Sequence, residues 1–563
     1  MLQEPTIAPV GESTVVGGPT RVEPVEVDPD VRSGLVDERD VVPEVPALGP
    51  GAPLPQPPAP PRLRLGPPPA TDRLRGWLVT LTLTLIAGVV RFVGLDRPTD
   101  GGTPVFDEKH YVPQAWQMLR NGGVEDNPGY ELVVHPPLGK QLIAIGEWLL
   151  GYNGWGWRAA AALAGTITVL LVIRVARRLT RSTLLGAVAG VLLICDGLSH
   201  VQSRMGMLDA FAAVFVLAAF ATMLCDRDDV RARMAVVLAQ GRIDDSPYGP
   251  RLGVRWWRFA TGVLLGLGCA VKWSGVYWLA AFAVLTLVFD LTARRAAGVR
   301  RPWVGTIVRD LAPAVWVLAL LPVLVYLGGW WAWFRSETGI DRNVIGLDRG
   351  ANGVGPDGPW AFVPDALRSL WFFSGHVLDF HANLTTQSSG QHPWESKPWT
   401  WPMGLRPMLY YYASGDKVTG CGTGDCVSAV MLIGTPALWW PAIPVLAWAL
   451  WRTVTRFDWR YGAVLVGYGA GILPWLADID RQMYLFYMAP VAPFLVLATV
   501  LVMGEILGRA DGPWERRQTG LLAVGLWVGL VVANFAYLWP ILVGVPITPD
   551  AWDAQLWLPS WRP

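Results

Sequence analysis

Asp107 and Glu108 stand side by side in Phe106-Asp-Glu-Lys-His-Tyr111, shortly after the first long apolar run of the chain, Trp77 to Leu95. Carboxylates at the edge of an apolar span are costly to hold unless they are solvated, paired or used in chemistry. Neighbours on a helix diverge by about 100°, so one carboxylate can face a substrate while the other is held by the scaffold. His110 and Tyr111, three and four positions on, would share a helical face with Asp107. A carboxylate so placed can take a proton from an attacking hydroxyl. The competing reading is a polar loop in which Asp107 only caps the next helix.

Three further stretches carry charge where apolar spans begin or end. Gln202-Ser-Arg204-Met-Gly-Met-Leu-Asp209 opens one span; Arg204 and Asp209 read either as functional groups or as an ion pair joining helices. Lys272-Trp-Ser-Gly275 interrupts two spans, and Lys272 can serve as a point charge for phosphate or snorkel to lipid headgroups. Arg481, in Asp478-Ile-Asp-Arg-Gln482, has the same two readings. It precedes Tyr484-Leu-Phe-Tyr487, an aromatic run that suits a lipid groove or an interfacial belt. His135, His376, His381 and His392 lack metal-ligand spacing and read as hydrogen-bonding loop residues, so no metal or cofactor is expected. Cys421 and Cys426 sit in a glycine-containing polar segment where a tight disulfide loop is feasible.

The elements that must position these groups are membrane spans. Of 563 residues, 52% are hydrophobic and 16% charged, against about 25% charged in soluble domains. Apolar runs near the length of a bilayer-crossing helix recur along the chain. Eleven are expected, near 77–95, 157–175, 183–195, 206–224, 258–271, 274–291, 311–333, 428–451, 461–477, 483–505 and 519–541. The class is thus an all-α polytopic membrane protein. Arg-rich connections follow the second, fourth, sixth, eighth and tenth spans, which places them in the cytoplasm together with the N-terminus. The long loops 96–156 and 334–427 then lie outside, with every candidate site group. Within the first loop, helical patterns run near 108–121 and 138–150; the second is amphipathic through Leu142, Ile145 and Leu149 and suits the membrane interface. Between them, His135-Pro-Pro137 reads as a turn or extended segment.

Residues 1–72 are Pro-rich and acidic without period and read as a disordered cytoplasmic tail. Residues 73–545 form the membrane unit and 546–563 an extracytoplasmic tail. The net charge of +1 gives no electrostatic pointer to nucleic acid. No phosphate-cradling glycine loop or nucleotide motif occurs on the cytoplasmic side.

Asp107-Glu108 with His110-Tyr111, His135-Pro-Pro-Leu-Gly-Lys140, Gln202-Ser-Arg204 with Leu208-Asp209, and Lys272-Trp-Ser-Gly275 together resemble the protein O-mannosyltransferase family. His392-Pro-Trp-Glu-Ser-Lys-Pro-Trp399, followed by Trp401-Pro402, is similar to its actinobacterial branch. The resemblance implies a GT-C glycosyltransferase fold. It also implies transfer of mannose from polyprenyl-phosphate mannose to Ser or Thr of translocated proteins, with inversion at the anomeric carbon. By the same resemblance Asp107 is the general base and Glu108 its support. Lys272, Arg481 and Arg204 are candidates for the donor phosphate, and Asp209, His110, Tyr111, His135 and Gln202 for the sugar or acceptor. Implied partners are the lipid donor, Ser/Thr-rich secreted proteins and membrane lipid, with the secretion translocon as a further candidate. Eukaryotic members carry a β-trefoil MIR domain in the central loop; loop 334–427 is too short for one. The alternatives are another GT-C enzyme with a lipid or glycan acceptor, and a lipid-linked sugar transporter, which predicts polar residues along the midplane.

Overall fold

The computed structural model describes residues 72–125, 134–345, 359–415, 418–422, 425–509 and 511–562. The expected cytoplasmic tail, up to residue 71, and the centre of loop 334–427 lie outside the described residues.

Apolar helices dominate. In chain order they are α1 (Arg73–Phe92), α2 (Glu108–Arg120), α3 (Leu138–Leu150), α4 (Gly154–Thr180), α5 (Thr183–Ile194), α6 (Gly197–Gln202), α7 (Leu208–Ala239), α8 (Trp256–Val271) and α9 (Gly275–Ala296). They continue as α10 (Pro302–Gly329), α11 (Asp365–Asn383), α12 (Ala442–Arg456), α13 (Trp459–Ala470), α14 (Ala492–Leu507) and α15 (Trp514–Val543). Among the described residues, α1, α4, α7, α9, α10 and α15 are long and apolar enough to cross a membrane. Leu74, Leu78, Leu81 and Leu85 of α1, and Leu522, Leu526 and Leu530 of α15, lie exposed at helical spacing. A stripe of this kind is satisfied by lipid.

Local chemistry sets the helix ends. The Asn153 side chain accepts from the amides of Trp155 and Gly156 to start α4, and Ser182 accepts from Leu185 to start α5. Arg181, in the left-handed region at φ 58°, breaks the chain between them. In α10, Pro313 and Pro322 remove backbone donors, and the helix answers with π-helical turns at Ile307–Leu311 and Trp316–Leu320. Helix α8 packs on α10 so closely that a Cβ at Gly262 would lie 2.0 Å from the Val317 carbonyl oxygen, so only glycine fits there.

The Arg-rich connections meet at one end of the bundle. Arg178 donates to Asp228 at 2.6 Å, Arg460 donates to the Leu179 carbonyl at 3.4 Å, and Arg227 lies 3.4 Å over the Trp459 ring. Arg452 pairs with Glu505 at 2.8 Å. Buried Arg255 and Arg258 pair with Asp226 and Asp290, and Arg294 with Asp310, lacing α7 to α10. Buried charges persist only when matched in this way.

Three expected spans are redrawn. The run expected at 428–451 begins as β2 (Val427–Leu432), which pairs antiparallel with β1 (Met408–Ser414). The span expected at 461–477 ends at Ala470, because Gly471 and Pro474 stop it and a 3₁₀ turn, Leu473–Ala477, follows. The span expected at 483–505 becomes α-helical only at Ala492; with prolines at 490 and 493, the segment before it holds a 3₁₀ turn, Leu485–Met488. Helices α2 and α3 lie where the sequence places them. Helix α3 buries Ile143, Ala144 and Glu147 and exposes Ile145, Trp148 and Leu149, as an interfacial helix would.

The stretch read as a C-terminal tail packs against the body. Ile547 forms a bridge with Val427, Trp561 is buried, and Arg406 donates to the Ser560 carbonyl at 2.6 Å. Cys421 and Cys426 are joined in a disulfide within the loop between β1 and β2.

Candidate active site

Opposite the Arg-rich end lies a cavity of about 440 Å³. Its lining includes Asp107, His110, Tyr111, His135, Asp209, Lys272, His381, Arg481, Tyr484, Phe486 and Tyr487. Seven of the ten residues singled out from sequence therefore share one chamber.

Asp107 is the N-cap residue of α2, yet its side chain makes no capping bond. Its carboxylate is left to the cavity. Burial pushes it up to about 6; Lys272 draws it back down and Asp209 adds a smaller upward push. The residue before it, Phe106, holds φ at 50°, a region bulky side chains avoid. Tyr111 is buried beside Asp107, and its hydroxyl is pushed well above its ordinary range by burial and then by the neighbouring carboxylates.

Lys272 ends α8, and Asp209 occupies the first turn of α7. The ammonium donates to both carboxylate oxygens, at 2.8 and 2.9 Å, and both side chains are buried. Lys272 also faces the Phe486 ring at 5.3 Å and the Tyr487 ring at 5.6 Å. Asp209 thus pairs with Lys272 and not with Arg204.

Arg481 enters from the turn between α13 and α14. It donates to the His381 carbonyl at 3.2 Å, contacts His381 Nδ1 at 3.2 Å and packs on Trp475 at 5.6 Å. Its Nε is buried without a hydrogen-bond partner. The turn is pinned by the Trp-rich loop. Lys397 donates to the carbonyls of Ile479 at 2.7 Å and Arg481 at 3.0 Å, and Thr385 bridges Arg481. Lys397 in turn pairs with Glu395 at 2.6 Å. The His135 and His381 rings lie 5.8 Å apart. Burial, then Lys272, holds His135 well below its ordinary value, while burial and then Arg481 lower His381 to about 4. Both are neutral near pH 7.

Three expected site residues lie elsewhere. Glu108 is fully buried and accepts from Arg158 at 2.7 and 2.8 Å, from the Gly206 amide at 2.7 Å and from the Val105 amide at 3.2 Å. It welds the first loop to α4 and to the turn before α7 rather than facing a substrate. Arg204 donates to the carbonyls of Arg91, Val93 and Gly94, each at 2.7 Å. Its guanidinium satisfies the C-terminal carbonyls of α1 and is not turned to a phosphate. Gln202 donates to the Tyr410 hydroxyl at 2.9 Å, behind the chamber. Sequence reasoning missed Arg158 and Tyr410, since nothing local marks their long-range partners. Among the described residues no three of His, Cys, Asp and Glu cluster as a metal set.

The arrangement offers a carboxylate of raised pKa, a lysine–aspartate pair, a guanidinium and an aromatic floor. That combination can deprotonate a hydroxyl and receive an anionic leaving group on an apolar tail.

Comparison with known proteins bears on the same residues. A family model for dolichyl-phosphate-mannose-protein mannosyltransferase matches residues 152–336, and one for the C-terminal four-TMM region of protein-O-mannosyltransferase matches 367–561. The chain is 56% identical over 520 residues to a Mycolicibacterium smegmatis polyprenol-phosphate-mannose–protein mannosyltransferase, covering 92% of this chain and 99% of that one. It is 56% identical over 528 residues to the protein of that name from Mycobacterium tuberculosis, covering 94% and 98%. With that from Corynebacterium glutamicum it shares 42% over 513 residues, covering 90% and 96%. Its fold is similar to the solved Saccharomyces cerevisiae protein O-mannosyltransferase Pmt1-Pmt2 complex bound to the sugar donor, with a TM-score of 0.65, 15% identity, and 87% of this chain and 93% of that chain covered. On the relatives matched over nearly their whole length, this multi-pass, GT-C-type membrane protein belongs to the protein O-mannosyltransferase family.

Proposed function

We propose that this chain transfers mannose from polyprenyl-phosphate mannose to a Ser or Thr hydroxyl of an exported protein, at the outer face of the cell membrane. The supporting observation is the single chamber holding Asp107, the Lys272–Asp209 pair and Arg481. The acceptor hydroxyl attacks the anomeric carbon while Asp107 takes its proton. The new C–O bond forms as the bond to phosphate oxygen breaks, and its electrons leave with the polyprenyl phosphate. That group departs as an anion and needs a cation rather than a proton donor. Arg481 is the first choice, because its Nε has no partner in the fold, whereas Asp209 already matches the charge of Lys272. Lys272 contributes by fixing Asp209, whose remaining lone pairs can bind a sugar hydroxyl. One in-line displacement turns a β-linked donor into an α-mannoside. The aromatic residues Trp475, Phe486 and Tyr487 suit the first units of the prenyl chain.

The Arg-rich end favours the cytoplasm, with the N-terminal tail on that side and residues 73–545 as the catalytic unit. The test incubates membranes containing the chain with radiolabelled polyprenyl-phosphate mannose and a Ser/Thr-rich peptide. Label in the peptide, released as mannose by α-mannosidase, is the expected result. Label entering only lipid or glycan would overturn the protein-acceptor reading.

A further inference from the structure

Strand β1 passes behind the chamber, and it does so irregularly. Leu409 faces Met431 and Tyr411 faces Val430, so Tyr410 is an extra residue without a partner on β2. A bulge of this kind re-aims a side chain. Tyr410 is buried, and its ring stacks on Phe106, with centroids 4.2 Å apart and planes at 14°. Phe106 meets Phe486 edge-on at 6.2 Å on another side. The Tyr410 hydroxyl is held by Gln202 at 2.9 Å. Phe106 itself keeps a positive φ of 50°, a conformation that persists only when its surroundings impose it. The next residue is Asp107. Tyr410 itself does not line the chamber.

We infer that Tyr410 is a positioning residue for the transfer reaction: gripped by Gln202, its ring holds Phe106 in the strained turn that aims the Asp107 carboxylate into the chamber. This rests on the reading of Asp107 as base. The interaction is specific to the hairpin, since the bulge presents this one ring to a segment some 300 residues earlier in the chain. Removing the ring lets Phe106 relax and admits water beside Asp107. The groups facing Asp107 from the packed elements are Asp209 of α7, Lys272 after α8, Tyr111 of α2, Tyr484 of the turn before α14 and Tyr410 itself; only the last is altered by the change, and Tyr410→Phe controls for the loss of its hydroxyl.

The experiment compares the wild type with Tyr410→Ala, Tyr410→Phe and Asp107→Asn in detergent, using polyprenyl-phosphate mannose and an acceptor peptide. Tyr410→Ala is expected to lower kcat by about 10- to 100-fold, the scale of a 1 Å misplacement, with donor KM within about 3-fold. Its acidic pH limb should move from about 6 toward the ordinary carboxylate range, because rehydration favours the charged form. Tyr410→Phe keeps the ring but loses the hydroxyl that Gln202 grips, and should recover part of kcat and of the limb. Gln202→Leu, which loses the same hydrogen bond and keeps the ring, should match Tyr410→Phe and serves as the probe if Tyr410→Ala does not fold. An unchanged acidic limb in Tyr410→Ala, or in Gln202→Leu where that is the probe, would overturn the positioning role while an inactive Asp107→Asn kept the base. An active Asp107→Asn would overturn the base reading itself.

Discussion

The Lys272 ammonium donates to both oxygens of Asp209, at 2.8 and 2.9 Å, across the start of α7 and the end of α8. Two buried charges thus neutralise each other at the rim of the chamber, and this decides what each can do for a ligand. A pair so engaged is already matched in charge, whereas the Arg481 guanidinium in the same chamber keeps a buried Nε without a partner.

Breaking that pair should cost more than removing it. Lys272→Ala leaves a buried, uncompensated carboxylate, for which a loss of about 3–5 kcal/mol is typical. The double variant Lys272→Ala with Asp209→Ala should lose clearly less than the sum of the singles. Unfolding midpoints in detergent measure this, and strict additivity would show that the two are not coupled.

Transfer should be lost on acidification. Asp107 must be ionised to accept a proton, and burial raises its pKa to about 6. Activity therefore falls as pH drops through about 6. The same raised value favours the protonated folded state, so Asp107 contributes stability below its ordinary value that disappears as pH rises through 6. Activity and this stability contribution run in opposite directions, and a pH–rate profile beside a pH–unfolding profile separates chemistry from denaturation. Asp107→Asn should lower kcat by about 10²- to 10⁴-fold above pH 6, and the difference from the wild type should shrink below it, where Asp107 is already protonated.

Arg481 should govern donor use. Arg481→Ala removes a charged hydrogen-bond donor, a change of about 1.5–3 kcal/mol, so donor KM should rise by roughly 10- to 100-fold. Acceptor-peptide KM should stay near the wild-type value. Initial rates with each substrate varied in turn provide the check; an equal effect on both would place Arg481 outside the phosphate site.

Glu108 and Arg204 should behave as structural residues. Glu108→Ala strands Arg158 in the interior, and a loss of about 3–5 kcal/mol is expected. Arg204→Ala uncaps α1 and should lower the unfolding midpoint without raising donor KM. A donor KM increase above about 10-fold in Arg204→Ala with kcat unchanged, read as a loss of donor binding, would return it to the phosphate site.

Much of this arrangement was legible in residue order. The first-loop helices were visible in their apolar spacing, and Cys421 and Cys426 are joined as their short polar loop suggested. What sequence could not decide was direction. Arg204 and Arg481 both sit at span ends away from the Arg-rich connections, and only packing against residues about 110 positions away turns Arg204 toward the carbonyls of α1. Likewise Val427–Leu432 reads as the start of a span, because a short apolar run fits a buried strand and a helix equally well. The site residues missed from sequence have partners as remote: Arg158 lies 50 positions from Glu108, and Tyr410 lies 208 from Gln202.

The hairpin bearing Tyr410 is closed from the far end of the polypeptide, where Ile547 bridges Val427 and Ser560 holds Arg406. A growing chain halted before these residues would hold every helix of the chamber yet leave the hairpin unlatched. Residues 547–560, absent from the chamber lining, thus act as a clasp on the strand that carries Tyr410.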